Sequence, residues 1–403
     1  MMRALAAHAE GPRDPIAAVT HPDPYPYYAR LVATRPFHRD DTLGLWVACS
    51  AAAVTEVLDD PACLVRPPAE PVPRPLLGSA AGSIFGRLVR MNEGERHAAL
   101  KPAVSAVTSR IDAPIREQGR RWAEHLVKTL EPARDRASVD RFAFSLSAYV
   151  LAGMLGVSPD RLADTAALVG DFARSIAPAA TGEQQSRGSH AAGELIFRFE
   201  ALLSVRSAAA PPTLLGDLDR EVARAGHAER EDVVANGIGF LSQAYEATAG
   251  LIGNTLVTLG QLRPPGSRPV EREELAAIVR EVVRYDPPVQ NTRRFVARDT
   301  TIGGQVLKAG DVVLVVVAAA NRDPLANPEP SRFDPARTSR QSFTFGSGPH
   351  ACPGEATASA IAEAGIAALL ASGVEPARLA TAVTYRPSGN TRVPIFNDGG
   401  PTG

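Results

Sequence analysis

A cysteine in a glycine-rich loop, directly before a helix, constrains this sequence more than any other feature. Residues 345–354 read Phe-Gly-Ser-Gly-Pro-His-Ala-Cys-Pro-Gly, and a helical pattern begins near Glu355. A helix N-terminus carries partial positive charge and free N–H groups, which stabilise a thiolate over a thiol. The glycines let the backbone approach a flat partner group and direct N–H groups at the sulfur. The segment therefore predicts a thiolate site at Cys352.

Two plainer interpretations of this cysteine are disfavoured. A lone cysteine is usually a small buried side chain, but here the whole flanking pattern speaks against that alternative. A zinc site is disfavoured because no second Cys or His lies at ligand spacing. The remaining cysteines, Cys49 and Cys63, are distant in sequence and make the total odd. An odd number of widely spaced cysteines indicates a protein of a reducing compartment rather than a secreted protein held by disulfides.

Composition excludes several classes of protein. The 403 residues include 45% hydrophobic residues, carry a formal net charge of −1 and contain no basic cluster, so a nucleic-acid binder is excluded. The longest apolar run, residues 312–320, is far shorter than the roughly 20 residues that a membrane span needs. The sequence therefore predicts a cytoplasmic protein that contacts neither nucleic acid nor membrane.

Helical patterns dominate the chain, and strand patterns are few. The predicted helices cover residues 116–130, 141–155, 194–205, 231–262, 272–285 and 357–370. The 141–155 helix is expected to be capped by Asp140 and ended by Gly156, and Ser158 to cap the next helix. Strands are predicted at 44–49 and 312–317, with a hairpin at 301–307. Residues 66–83 and 207–216 are long irregular loops, each a binding lid or a surface connection.

The cysteine loop resembles the haem-binding loop of the cytochromes P450. It matches Phe-x-x-Gly-x-His-x-Cys-x-Gly at every fixed position, and the resemblance extends from residue 23 to residue 390. It implies a mainly α fold with small β-sheets, formed as one domain over residues 1–403. It also implies that Cys352 is the axial ligand of a haem b iron. It further implies that Phe345 covers the sulfur side of the haem and that His350 binds a propionate. Gly346 and Gly354 are the implied loop residues of the cofactor site.

Three further segments carry the resemblance on the proximal side and around the propionates. Glu281 and Arg284 lie three apart on one helix face, and with Arg332 they match a buried structural triad of the family. Arg294 stands at the position of a propionate arginine, with Arg293 as the adjacent alternative. His97 and Lys101 lie four apart where the family usually has His and Arg. Because a lysine lacks the guanidinium fork, Lys101 is a departure.

The predicted helix 231–262 resembles the long helix that crosses the haem in this family. The family's acid is present as Glu246, but the position of its threonine is Ala247. Thr248 follows, rotated by about 100° on the helix. Three explanations of the missing hydroxyl remain open. Either a group on the substrate replaces it, or Gln243 or Thr248 replaces it. Alternatively, the reaction needs no proton relay. These four residues are the candidate catalytic positions.

The resemblance implies a monooxygenase that tailors a secondary metabolite with electrons from a ferredoxin and a reductase. Ala247 favours the alternative of an oxidative-coupling, decarboxylating or peroxygenase-type enzyme. A haem sensor without catalysis is disfavoured by Glu246 and by the lid-like loops. The substrate is expected to be a small molecule, and its implied contacts are residues 66–83, Phe240, Gln243, Ala244, Ala247, residues 290–292 and residues 388–391.

Overall fold

Helices form most of the protein. The computed structural model describes residues 11–204, 212–226, 229–264 and 266–396. The helices are α1 (Tyr25–Thr34), α2 (Ala51–Asp59), α3 (Ala80–Arg87), α4 (Gly94–Thr108), α5 (Asp112–Leu130), α6 (Arg136–Leu155), α7 (Leu162–Ser175), α8 (Gly182–Ser204), α9 (Leu214–Arg224), α10 (Arg230–Leu262), α11 (Arg272–Tyr285), α12 (Val317–Ala320), α13 (Glu355–Ala371) and α14 (Pro376–Leu379).

The β-structure is small and lies beside the helices. The strands are β1 (Phe37–Asp40), β2 (Leu45–Ala48), β3 (Cys63–Leu64), β4 (Thr292–Val296), β5 (Thr300–Ile302), β6 (Gln305–Leu307), β7 (Val312–Val315), β8 (Thr384–Tyr385) and β9 (Pro394–Ile395). One sheet has the order β1-β2-β7-β4-β3, and only its β2–β7 pair is parallel. Two separate hairpins pair β5 with β6 and β8 with β9. The predicted class, mainly α with small β-sheets, is confirmed.

The helix α10 passes through the centre of the helical core. It packs against α3, α6, α7, α8, α9, α11, α13 and α14. Its 33 residues span about 50 Å at 1.5 Å per residue. Glu231 and Asp232 lie in its first turn, where negative charge complements the helix dipole. Because α13 begins just after Cys352 and packs on α10, the cysteine loop is held close to the middle of the fold.

Several predicted boundaries are confirmed, and others move. The structure bears out α11 at 272–285 and the hairpin at Gly303 and Gly304, which both have positive φ. Gly156 ends α6 in the left-handed region, as predicted. The predicted cap of α6 is wrong: the cap is Asp135, whose carboxylate accepts the Ala137 N–H. Asp140 lies inside the helix and instead accepts the N–H of residue 396.

The two predicted loops differ from expectation. Residues 66–83 contain a 3-10 turn at Arg74–Leu76 and the start of α3, which Ser79 caps. Half of the second segment, residues 207–211 of 207–216, lies outside the described residues, and its last residues already belong to α9. Ser158 is followed by a 3-10 turn rather than directly by a helix, and it makes no capping hydrogen bond.

A buried arginine joins the two ends of the described chain. Arg392 is 1% exposed, and its Nε donates to Asp286 Oδ1 at 2.9 Å. Its terminal nitrogens donate to three carbonyl oxygens near the start of the chain, those of Val19 (3.0 Å), His21 (2.7 Å) and Pro22 (3.0 Å). The guanidinium is therefore fully paired, as a buried charge must be to be tolerated.

Candidate active site

The cysteine loop holds Cys352 by backbone hydrogen bonds. The Cys352 N–H donates to the carbonyl of Phe345 at 2.7 Å, and the N–H of Gly354 donates to Cys352 Sγ at 3.4 Å. Gly346 and Gly348 both have positive φ, at 72° and 65°. A Cβ on Gly348 would lie 2.5 Å from an oxygen of the Asp59 carboxylate, so glycine is required there.

Cys352 differs from the other two cysteines in its surroundings. Cys49 and Cys63 are buried, and burial raises the pKa of each thiol to about 12. Cys352 is exposed, yet the surrounding protein also raises the pKa of its thiol. The Gly354 N–H, Lys101 and Arg90 act in the opposite direction and lower that pKa. The sulfur is therefore accessible although much protein surrounds it. A metal bound there would deprotonate the thiol outright.

Two imidazoles lie beside the loop with unpartnered nitrogens. The rings of His97 and His350 are 4.3 Å apart between centroids. His350 Nε2 pairs with Glu93 Oε2 at 2.9 Å, but His350 Nδ1 and His97 Nε2 are buried without a hydrogen-bond partner among the described residues. Burial lowers the pKa of His97, as do the charges of His350 and Lys101. A carboxylate placed between these rings would satisfy both nitrogens.

Two cations complete this wall of the site. Arg294 is 6% exposed, and its hydrogen bond goes to the neighbouring Arg293 carbonyl rather than to a carboxylate. Burial lowers the pKa of Arg294. Lys101 Nζ donates to the Ala351 carbonyl, directly beside Cys352. An accessible thiol, two unpartnered imidazole nitrogens and a buried arginine that bonds no carboxylate among the described residues fit a haem, whose iron Cys352 would bind and whose propionates the other groups would bind.

Arg90 is a residue near Cys352 that sequence reasoning missed. It lies on the 3-10 turn Val89–Met91 and has no hydrogen-bond or ion-pair partner among the described residues. It is accessible, yet surrounding protein lowers its pKa, and the Cys352 sulfur opposes that shift. No periodicity or motif in the sequence marks this position, so only the fold reveals it.

The middle of α10 is accessible to solvent. Gln243 is exposed and Ala244, Glu246 and Ala247 are half-exposed, although the helix is buried on both sides of this stretch. Thr248 is 0% exposed, and its hydroxyl has no partner among the described residues. This accessible stretch of α10 therefore carries the predicted acid and the phenol of Tyr245, but no serine or threonine hydroxyl. The side chain of Gln243 folds back to the Gly239 carbonyl at 2.9 Å.

Glu281 and Arg284 form a buried ion pair. Both are 0% exposed, and Arg284 Nε and Nη2 lie 3.1 and 2.6 Å from Glu281 Oε1. Burial alone would raise the pKa of Glu281, but hydrogen bonds from Arg284 and Arg340 outweigh burial and lower it. Arg284 also donates to the carbonyls of residues 321, 330 and 332. The pair thus fixes the segment before the cysteine loop to α11.

The predicted third member of the triad is wrong. The guanidinium of Arg332 is 63% exposed and pairs with Glu329 on the surface. Only its backbone carbonyl meets Arg284. The cations that reach Glu281 are Arg337, at 3.5 Å, and Arg340, at 2.9 Å. Segment 332–340 is irregular, so no periodicity showed which arginine faces Glu281.

Comparisons with known proteins agree with this fold and site. The sequence profile of the cytochrome P450 family matches residues 260–372. PikC, a cytochrome P450 monooxygenase of Streptomyces venezuelae, is 30% identical over 86% of this chain and 83% of its own length. The 6-deoxyerythronolide B hydroxylase of Saccharopolyspora erythraea is 31% identical over 57% of this chain and 56% of its own length.

The structure of P450BioI with an acyl carrier protein superimposes with a TM-score of 0.79. It is 23% identical and covers 92% of this chain and 96% of its own, so it shows the fold alone. Fold and site together define a haem-thiolate oxidoreductase. This chain belongs to the cytochrome P450 family and is an enzyme of the monooxygenase type.

Neither a membrane span nor a separate metal cluster is found in the parts of the chain that the structure describes. None of their helices combines the length and the apolar character that crossing a bilayer requires. Within the same residues, no three His, Cys, Asp or Glu side chains converge on a metal position.

Proposed function

We propose that this chain is a monooxygenase that tailors a secondary-metabolite scaffold with electrons from a ferredoxin and its reductase. The observation that carries the proposal is the Cys352 loop, whose accessible thiol receives the Gly354 N–H at 3.4 Å. The proposal treats residues 1–403 as one domain and takes Cys352 as the axial ligand of haem b. The hydroxylase named for 6-deoxyerythronolide B supports a scaffold of that class as substrate.

The side chains around the loop would hold the cofactor in one orientation. His97, His350 and Arg294 would bind the propionates, because His97 Nε2 and His350 Nδ1 are buried without a partner and the buried Arg294 bonds no carboxylate among the described residues. Lys101 would add positive charge near the sulfur and fix the Ala351 carbonyl. Phe345 would cover the sulfur side. The chemistry that a thiolate-ligated haem supplies when bound is dioxygen activation, because thiolate donation favours cleavage of the O–O bond.

The open face of α10 would receive the substrate. Ala244 and Ala247 are small and half-exposed, and the exposed Gln243 offers an amide beside them. Glu246 would hold or donate a proton there. Because Ala247 has no hydroxyl, an oxidative-coupling, decarboxylating or peroxide-driven reaction is the second candidate function, which needs no acid–alcohol pair.

We expect the purified, reduced protein to show the red-shifted Soret band of a thiolate haem when carbon monoxide binds. The reason is that Cys352 is the accessible cysteine of the three and receives an N–H bond at sulfur. The measurement is a reduced carbon-monoxide difference spectrum of freshly prepared protein. A spectrum of the histidine-ligated type would contradict the proposed ligand.

Thr248→Val and Ala247→Thr are expected to act differently on coupling. Thr248 is fully buried and its hydroxyl has no partner, so removing that hydroxyl should leave coupling within about twofold. Ala247→Thr puts a hydroxyl beside Glu246 on the open face, where acid–base assistance is worth roughly 10²–10⁴-fold. It should change the product formed per reduced nicotinamide, measured with 6-deoxyerythronolide B as probe. Uncoupling by Thr248→Val alone would show that Thr248 is the relay.

A further inference from the structure

The carboxylate of Glu246 is bound by residues of the C-terminal hairpin region. Thr391 Oγ1 donates to Glu246 Oε2 at 3.1 Å. Arg386 Nη2 lies 3.8 Å from the other carboxylate oxygen, Oε1. The arginine thus occupies one oxygen and leaves the second to the hydroxyl. The partner of the acid is a hydroxyl 145 residues away in sequence, not a neighbour on α10.

A second hydroxyl connects Thr391 to the surface. Ser388 Oγ lies 2.8 Å from Thr391 Oγ1, and either oxygen can donate. Ser388 Oγ accepts the backbone N–H groups of Asn390 and Thr391, and its own hydrogen can go to Thr391 Oγ1 or to Asn390 Oδ1, which lies 3.3 Å away. Thr391 is 8% exposed, Ser388 is half-buried and Asn390 is exposed. Ser388 Oγ, Thr391 Oγ1 and Glu246 Oε2 thus form a hydrogen-bonded row that begins at the half-buried Ser388 and ends at the acid.

The backbone around Thr391 is held firmly. Thr391 forms a β-bridge with Val289, and the Gln290 N–H donates to the carbonyl of Asn390 at 2.8 Å. On the other side, the Arg392 N–H donates to the carbonyl of residue 288 at 2.7 Å. Because Arg392 is itself buried and paired, Thr391 cannot shift without breaking several bonds. The position of its hydroxyl relative to α10 is therefore fixed.

The open face of α10 offers no substitute for this hydroxyl. Ala247 has none, and the hydroxyl of Thr248 is enclosed by protein without contact to Glu246. Among the described residues, the hydroxyl that meets Glu246 is that of Thr391. The missing hydroxyl at Ala247 and the hydrogen bond from Thr391 are thus two independent observations about Glu246.

We propose that Ser388 and Thr391 form the proton path to Glu246, in place of the hydroxyl missing at Ala247. This rests on the proposed oxygenase function. A hydronium ion gives a proton to Ser388 Oγ, displacing the 3.3 Å bond from the Asn390 N–H, as Ser388 passes its own proton to Thr391 Oγ1 and Thr391 passes its own to Glu246 Oε2. The hydronium ion is left as water, both hydroxyls are restored, and the Glu246 carboxylate becomes a carboxylic acid protonated at Oε2. Thr391 is a positioning and relay residue that acts through Glu246.

The test compares three variants of the haem-loaded protein. Thr391→Val removes the hydroxyl at nearly constant volume, Thr391→Ser keeps it, and Thr384→Val removes an exposed hydroxyl of the same hairpin as the control. With a plant-type ferredoxin and its reductase, Thr391→Val should slow reduced-nicotinamide oxidation about tenfold or more and change its solvent deuterium isotope effect. Thr391→Ser should return the rate to within about twofold, and Thr384→Val should match the parent protein.

Two further readouts separate loss of the path from damage to the site. The infrared carboxylate band of Glu246, isolated by subtracting the Glu246→Gln spectrum, should shift in Thr391→Val and return in Thr391→Ser. Peroxide-driven oxidation of guaiacol should be unchanged in Thr391→Val, because peroxide brings its own protons. Equal rates and isotope effects in Thr391→Val and the parent would overturn the relay. A parent protein without the thiolate carbon-monoxide band would instead overturn the proposed function, while the infrared arm still reports whether Thr391 binds Glu246.

Discussion

Substituting Cys352 by serine is expected to abolish monooxygenation and the red-shifted carbon-monoxide band. A serine hydroxyl cannot donate electrons as a thiolate does, so O–O cleavage loses its driving force. The expected loss of turnover is about a thousandfold or more, a small part of the acceleration that enzymes achieve. The measurements are the carbon-monoxide difference spectrum and nicotinamide-driven turnover of the variant.

The other two cysteines provide matched controls. Cys49 and Cys63 are 0% and 5% exposed, and burial raises the pKa of each to about 12. Such thiols remain protonated near neutral pH and are poor metal ligands. Cys49→Ala and Cys63→Ala should therefore keep the red-shifted band. If either control loses the band in a folded protein while Cys352→Ser retains it, the ligand assignment is wrong.

Substituting Arg284 by alanine is expected to lower the free energy of unfolding by about 3–5 kcal/mol, because a buried carboxylate loses its nearest cationic partner. Glu281 would remain 0% exposed with only the more distant guanidinium groups of Arg337 and Arg340. The carbonyls of residues 321, 330 and 332 would lose their donor as well. Chemical denaturation and the haem content of purified protein measure the effect, and both should fall.

Arg332→Ala is the control for Arg284→Ala. Its guanidinium is 63% exposed and pairs on the surface with Glu329, and exposed pairs are worth about 0–1 kcal/mol. Unfolding and haem content should therefore remain near the parent values. A large destabilisation by Arg332→Ala, or a fully stable and haem-loaded Arg284→Ala protein, would contradict the roles that the structure gives these arginines.

Local signals predicted the elements that carry the site. The cysteine loop lies in one continuous segment, and α10 and α11 are long, strongly patterned helices, so sequence alone placed them within a residue or two. The cap of α6 was misplaced because Asp135 and Asp140 both satisfy the capping rule, and only packing distinguishes them. The helix α4 was not predicted, since Pro102 lies inside it and it has no clear apolar face.

Contacts between distant segments could not be predicted. Arg337 and Arg340 lie 56 and 59 residues from Glu281, in a stretch without periodicity. Thr391 was expected only as a substrate contact, yet its hydroxyl donates to Glu246. Arg90 follows no motif, and the fold alone turns it towards Cys352. In each case the role of the residue depends on which side chains come into contact after folding. The hydrophobic periodicity of a single helix does not predict such contacts.

The buried Arg392 also determines when one set of contacts can form during synthesis of the chain. Its guanidinium satisfies carbonyl oxygens up to 373 residues upstream, among residues 19–22. A ribosome releases the chain N-terminus first, so those carbonyls emerge long before their donor has been made. The carbonyl oxygens of residues 19–22 therefore keep water as their hydrogen-bond partner until residue 392 leaves the ribosomal exit tunnel. Closure of this ring of contacts is thus a late step in biogenesis, whatever the speed at which the helices form.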